Sequence, residues 1–437
     1  MPLNLRGLSF DDIPPLHIPL RFHLTAPVFG MLAAGLLLFE GPAAWTSRWT
    51  AGSLGATHLL TLGFMVMVMI GSLFQIIPVI TGRTVPGTKL IAPVIHIALS
   101  LGVIALASAL IRPSSLAFKT AIALLAIAFA TFIGPFVWRV MSIRRGGDSV
   151  FAIRLAALSL LGTVGVGVYL AVGHTWPALE IPFRTWTDTH VLWGLFGWVP
   201  LLVMGVSYQV IPMFHVAPAF DSRLARGIPL VTFVSLLLLS HARSAYLVTP
   251  FVTCLCLALI AYAVTALRVI ARRRRKRKDP TIGFWRLALG SLVLGALLLW
   301  FSLGTSLRMP LLTQAQAPLL LGAIMVFGFA CSVIIGMLQK IVQFLIFLHL
   351  QRQSLTKSMA ITLIPKMNDV IFDRDARWQL RLHIAACIAV LIALVWPALG
   401  RIAALCLMLD FGWLLRDLLL AAARYRRISR AIEAVAS

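Results

Sequence analysis

Apolar stretches of about twenty residues follow one another along most of this chain, and a run of that length is long enough to cross a ~30 Å hydrocarbon layer as a helix. Twelve can be drawn, at 22–40, 54–80, 91–111, 118–140, 151–173, 187–214, 227–243, 246–270, 284–303, 316–349, 379–397 and 399–422. Composition agrees. Of 437 residues, 60% are hydrophobic and 12% charged, whereas a soluble domain carries about 25% charged residues. The alternating ten-residue segments of an outer-membrane barrel are absent. The expected fold is therefore all-α, a polytopic transmembrane bundle of about twelve helices forming one membrane domain over 1–437. The tenth run is too long for one straight crossing and is expected to run on into the cytoplasm. The segment 350–378, with Lys357, Lys366, Asp369, Asp373 and Asp375, is the one sizeable polar loop. Asp11, Asp12, Pro14 and Pro15 break up the first twenty residues, so no cleavable signal peptide is expected.

Lys and Arg collect on alternate loops. One set holds Arg83 and Lys89, Arg144 and Arg145, Arg223 and Arg226, the run Arg272–Lys278, and finally Arg424, Arg426, Arg427 and Arg430. The other holds little beyond Arg48, Arg112, Lys119, Arg184, Arg243 and Arg308. Cytoplasmic loops are the richer in positive charge, so both termini are expected in the cytoplasm of a bacterial inner membrane protein. The net charge of +24 then reads as a topology signal with the lipid bilayer as partner, and a nucleic-acid partner is not expected. Cys254, Cys256, Cys331, Cys387 and Cys406 all lie in apolar runs. No CxxCH or CxxC occurs, which excludes covalent c-type heme and gives no zinc signature.

A pattern recurs three times. The second run reads GFMVMVMIGSLFQIIP from Gly63 through Gly71 and Gln75 to Pro78. The sixth reads GWVPLLVMGVSYQVIP from Gly197 through Gly205 and Gln209 to Pro212, and the tenth GFACSVIIGMLQKIVQ from Gly328 through Gly336 to Lys340 and Gln343. The copies lie 134 and 131 residues apart, each about four runs. The reading is three parallel four-helix repeats, near 20–140, 150–270 and 284–422, related by a pseudo-threefold axis along the membrane normal. Small residues let helices approach closely in lipid. Gln75, Gln209 and Lys340 should then face the interior, as packing glue or along a polar path.

Ten histidines sort by depth. His17, His23, His96, His215, His349 and His383 fall in the inner half; His58, His190, His174 and His241 fall near the outer face. An imidazole in hydrocarbon needs a partner, either a hydrogen bond or a metal. Iron and copper both accept imidazole. Trp193, Phe196, Trp198, Phe64 and Phe74 offer apolar faces nearby, and Thr57, Thr189 and Asp188 could orient ligand rings.

With THLLTLGFMVMVMIGSLFQIIPV and THVLWGLFGWVPLLVMGVSYQVIPM as its core, this arrangement resembles the catalytic subunit of heme–copper oxidases and the NnrS-type heme and copper membrane proteins. The architecture likeness covers most of the chain; the motif likeness is confined to the second, sixth and tenth runs. It implies His58 as an axial ligand of a heme b, and His190 and His241 as copper ligands, with His174 a substitute at the same depth. The departures are specific. The seventh run has no HH pair, TQAQAP with Gln314 and Gln316 stands where the family has HxH, and the NnrS signature HEMLFGF is missing. His58 and His190 are two residues out of register within the repeat. The expectation is a reduced heme protein, with copper as a second cofactor and a redox, electron-transfer or nitric-oxide-response role beside a redox partner or another membrane subunit.

Two other classes stay open. A secondary transporter or permease could use the Pro-interrupted helices and the intramembrane charges Lys340, Asp410, Arg416 and Asp417. The plainer reading of those charges is structural ion pairs such as Lys340 with Asp417. A non-catalytic scaffold subunit is the third.

Overall fold

A computed structural model describes residues 14–144, 146–242, 244–274, 278–304, 316–354 and 362–434. Asp11, Asp12, Arg145, Arg243, positions 275–277 of the basic run, Arg308, Gln314 and Lys357 lie outside the described residues. Among the described residues there is no strand. Among the described residues, twelve helices are long and apolar enough to cross a membrane. They are α1 (His17–Trp45), α2 (Ala51–Thr81), α3 (Thr88–Ile111), α4 (Ser115–Met141), α5 (Asp148–Thr175), α6 (Phe183–His215), α7 (Ser222–His241), α8 (Tyr246–Ala271), α9 (Pro280–Gly304), α10 (Gln316–Ser354), α11 (Asp373–Val395) and α12 (Pro397–Ala434). This is the architecture of a multi-pass membrane protein, in the order the hydrophobic runs give.

Turn chemistry fixes several ends. Thr50, Ser114 and Asp221 cap α2, α4 and α7 by accepting hydrogen bonds from main-chain amides of the first turn. Gly82, left-handed at φ +67°, stops α2 four residues after Pro78. α10 is a single 39-residue helix, about 58 Å long at 1.5 Å per residue and so much longer than a ~30 Å hydrocarbon core.

Of the twelve described helices, nine form a closed ring and three stand inside it. α3 packs on α4, α4 on α5, α5 on α7, α7 on α8, α8 on α9, α9 on α11 and α11 on α12; α12 then packs along α1, which also touches α3. Over their most apolar stretches α2, α6 and α10 are 78%, 67% and 72% buried, while no other helix exceeds 50%. The outer helices are apolar on both faces. In α3, Ile95, Leu99 and Val103 are fully buried while Leu90, Ile97 and Leu101 are at least half exposed, as expected of a helix with lipid on one side and protein on the other.

The motif glycines are crossing points. A Cβ on Gly71 would lie 2.7 Å from the Phe22 Cβ of α1, on Gly205 2.7 Å from the Ile153 Cγ1 of α5, and on Gly336 2.6 Å from the Phe284 Cβ of α9. Each inner helix thus takes the helix that opens its own stretch of chain into a groove where no side chain fits. The earlier glycines Gly63, Gly197 and Gly328 each sit in a π-helical segment, Leu59–Val66, Leu192–Trp198 and Ile324–Cys331. π segments widen a helix locally and are frequent at functional sites.

Candidate functional site

His58 closes the last α-helical turn before the π segment of α2, and His190 stands two residues before that of α6. Counted from the start of each π segment, the two rings are one residue out of register rather than two. They meet inside the bundle, with ring centroids 6.5 Å apart and planes inclined by 21°. His58 Nδ1 lies 2.9 Å from the Leu54 carbonyl oxygen, and His190 Nδ1 lies 3.0 Å from that of Thr163. A carbonyl only accepts, so each ring carries its proton on Nδ1 and keeps the Nε2 lone pair. Neither Nε2 makes a hydrogen bond among the described residues. Gly167 of α5 makes room, since a Cβ there would come within 2.9 Å of the His190 Cε1.

This is the arrangement a ligand imidazole adopts, with one nitrogen fixed by a main-chain acceptor and the other open. In donor chemistry, two neutral imidazoles with an open nitrogen each suit heme iron or copper. Among the described residues no cluster of three or more His, Cys, Asp and Glu side chains is arranged to hold a metal.

The other two outer histidines stand apart from this pair. His174 is exposed and sandwiched between aromatic rings, 4.7 Å from Phe118 with planes 5° apart and 4.4 Å from Phe183. His241 is exposed, with Nδ1 donating to Leu237 O at 2.8 Å. The side chains expected to orient the ligand rings are committed elsewhere: Thr57 donates to Ser53 O, Thr189 to Thr185 O, and Asp188 accepts from Arg48 at 2.5 Å. Short hydroxyls on a helix reach back to their own i−4 carbonyls, so main chain does the orienting instead. Several of the nearby aromatics are interhelical filler, with Phe64 against Phe411, Phe74 against Phe22 and Phe132, and Trp193 against Phe233.

The intramembrane charges pair differently from the sequence expectation. Lys340 meets Asp279, at the head of α9, at 2.9 Å, while Asp417 meets its neighbour Arg416 at 2.8 Å. Asp279 lies in the basic loop, where sequence depth alone could not bring it beside α10. Asp410 accepts from His383 Nδ1 at 2.7 Å and from Gln379 Nε2 at 2.5 Å, and His383 Nε2 lies 2.9 Å from Ser332 Oγ. This buried Ser–His–Asp chain joins α10, α11 and α12. Its sequence signal was available: His383 and Asp410 are polar residues at similar depth in consecutive apolar helices.

Between α2, α6 and α10 lies a partly open pocket whose lining includes Gln75, Val210, Phe214, Ile341 and Phe344. Gln75 is buried and its Nε2 has no partner among the described residues. A second, partly open recess is lined by Lys340 and Asp279. Phe214 lines both and packs edge-on against Phe344 at 5.7 Å. Comparison with protein-family models and with curated proteins found no match for this chain.

Proposed function

We propose that this protein is a redox-active, metal-binding protein of the bacterial inner membrane in which His58 and His190 hold the iron of a b-type heme or a copper ion. The observation that carries this reading is the neighbouring pair of imidazoles, with centroids 6.5 Å apart, each with Nδ1 tied to a main-chain carbonyl and Nε2 open. Bound iron or copper would supply one-electron chemistry and an affinity for small gaseous ligands. The chain's own part is to hold two neutral rings in fixed tautomers, to shelter them within the bundle, and to set their spacing through the π segments. Electron transfer to a partner and a nitric-oxide response both suit such a site.

The test is an oxidised and reduced absorption spectrum with metal analysis on protein purified from heme-replete, copper-supplemented cells. Metal or heme should be present near one equivalent, and His58→Ala or His190→Ala should each lose most of it. His174→Ala and His241→Ala should retain it. A colourless, metal-free wild type overturns the reading.

The same reading takes the bundle as three parallel four-helix repeats with both termini in the cytoplasm. The three π segments and the three glycine crossings of α1, α5 and α9 support the repeat. The distribution of Lys and Arg supports the orientation.

A permease is the second reading, favoured by the two spaces that meet at Phe214. Uptake by proteoliposomes that survives loss of both His58 and His190, but not of Gln75, would choose it over the first.

A further inference from the structure

At the end of the bundle where α6 stops and α9 and α11 begin, the partly open recess is lined by His215, Arg273, Lys278, Asp279, Lys340 and Asp373 among others. It lies 25 residues along α6 from His190, about 38 Å at 1.5 Å per residue, so it is independent of the metal reading.

Asp279 is fully engaged. It pairs with Lys340 Nζ at 2.9 Å and accepts from the Thr281 hydroxyl at 2.7 Å and the Thr281 amide at 3.0 Å. The Lys340 charge is thereby compensated. Among the described residues, two polar atoms on the same recess remain unmet. His215 is 3% exposed; its Nδ1 faces Asp279 Oδ2 at 3.8 Å, and its buried Nε2 has no partner among the described residues. Arg273 gives one Nη1 hydrogen to Ile270 O at 3.3 Å, but its buried Nε–H finds no acceptor among the described residues. A guanidinium N–H can only donate, and a buried donor left unmet is costly enough that native structures rarely keep one. Lys278 adds an exposed ammonium beside them. Asp373, in the first turn of α11, is placed where the positive end of the helix dipole favours its charge.

We propose that this recess binds the phosphate group of an anionic ligand, with Arg273 Nε and His215 Nε2 donating to its oxygens and Lys278 closing on it from the rim. Guanidinium suits this task because its donors diverge in a plane that matches tetrahedral oxyanion edges. The Lys340–Asp279 pair is the wall that holds α9 against α10 beside the bound group. The phosphate can belong to a phospholipid headgroup or to a soluble ligand, and the two are separable.

Full-length protein purified in detergent is tested in two arms. In the first, the thermal unfolding midpoint is followed as potassium phosphate replaces potassium chloride at fixed ionic strength. In the second, native mass spectrometry counts phosphatidylglycerol retained after extraction from vesicles of equal phosphatidylglycerol and phosphatidylcholine. Saturable stabilisation by phosphate, weakened about tenfold or more in Arg273→Gln, supports the proposal and identifies a soluble source. Retained phosphatidylglycerol that is lost in Arg273→Gln supports it and identifies the lipid. Lys278→Gln, at an exposed position whose loss leaves folding intact, should weaken the same arm by a smaller factor. If wild type, Arg273→Gln and Lys278→Gln behave alike in both arms, the proposal is overturned; should Arg273→Gln not fold, Lys278→Gln and Arg273→Lys decide by the same criterion.

Discussion

Val216 ends α6 in the left-handed conformation, at φ +52°, four residues after Pro212, where α2 ends with Gly82 four residues after Pro78. A β-branched residue pays steric strain there that glycine avoids. Val216 is 46% exposed, so little packing is lost on its removal. Val216→Gly should therefore stabilise the protein by about 1 kcal/mol, read as a higher unfolding midpoint; an unchanged or lower one contradicts the strain. Asp279 offers a second test, through pH. Burial pulls its carboxyl upward, but the Lys340 ammonium and the bonds from Lys340 and Thr281 outweigh that, so it titrates below its usual 3.8. A carboxyl lowered on folding stabilises the native state above its unfolded value, and the contribution disappears as pH falls through the folded one. Asp279→Asn should cost about 2 kcal/mol at neutral pH. The gap between variant and wild type should hold down to about pH 4 and close in more acid solution. A gap that is constant with pH would remove the charge from the explanation.

Among the elements, the glycine crossings decide how closely α1, α5 and α9 approach the inner helices. Gly336→Ala puts a methyl against the Phe284 Cβ, both atoms fixed close to their backbones, and should cost about 1–3 kcal/mol through overpacking. Gly165→Ala in α5 meets nothing within 4 Å and should be neutral. Equal thermal midpoints for the two variants would refute the crossing. The helices themselves were legible in the sequence because each apolar run exceeds a membrane crossing, and the glycine spacing located the crossings before any partner was known. The π segments were not legible, since an extra residue per turn leaves no mark in a run that is apolar on every face. The same limit governed the charges. Lys340 was visibly in need of a partner, but that partner is Asp279, a loop residue at the head of α9, and depth along a helix says nothing about which loop folds over it. His58 and His190 were legible as candidates because they open corresponding helices, while His174 and His241 shared their depth but face other rings or the surface.

At the scale of the whole molecule, nine of the described helices shield three, and the chemistry lies along the shielded ones: imidazoles near one end, the pocket between α2, α6 and α10, and the recess where α6 ends. The proposed orientation puts the His58–His190 pair on the periplasmic side and the recess on the cytoplasmic side. A fluorescent protein fused after the C-terminus should then fold and fluoresce, and a periplasm-dependent reporter placed in the loop between α1 and α2 should be active. Reversed signals would invert the assignment and put the His58–His190 pair at the cytoplasmic face.

The ring closes between α1 and α12, the first and last of the twelve described spans in chain order. During synthesis α1 must wait in the membrane with one flank unmatched, including the gap at Gly30 that the Phe411 ring later fills. The bundle cannot seal until α12 has been made, so a chain stopped short of α12 should persist as an open intermediate that quality-control proteases recognise.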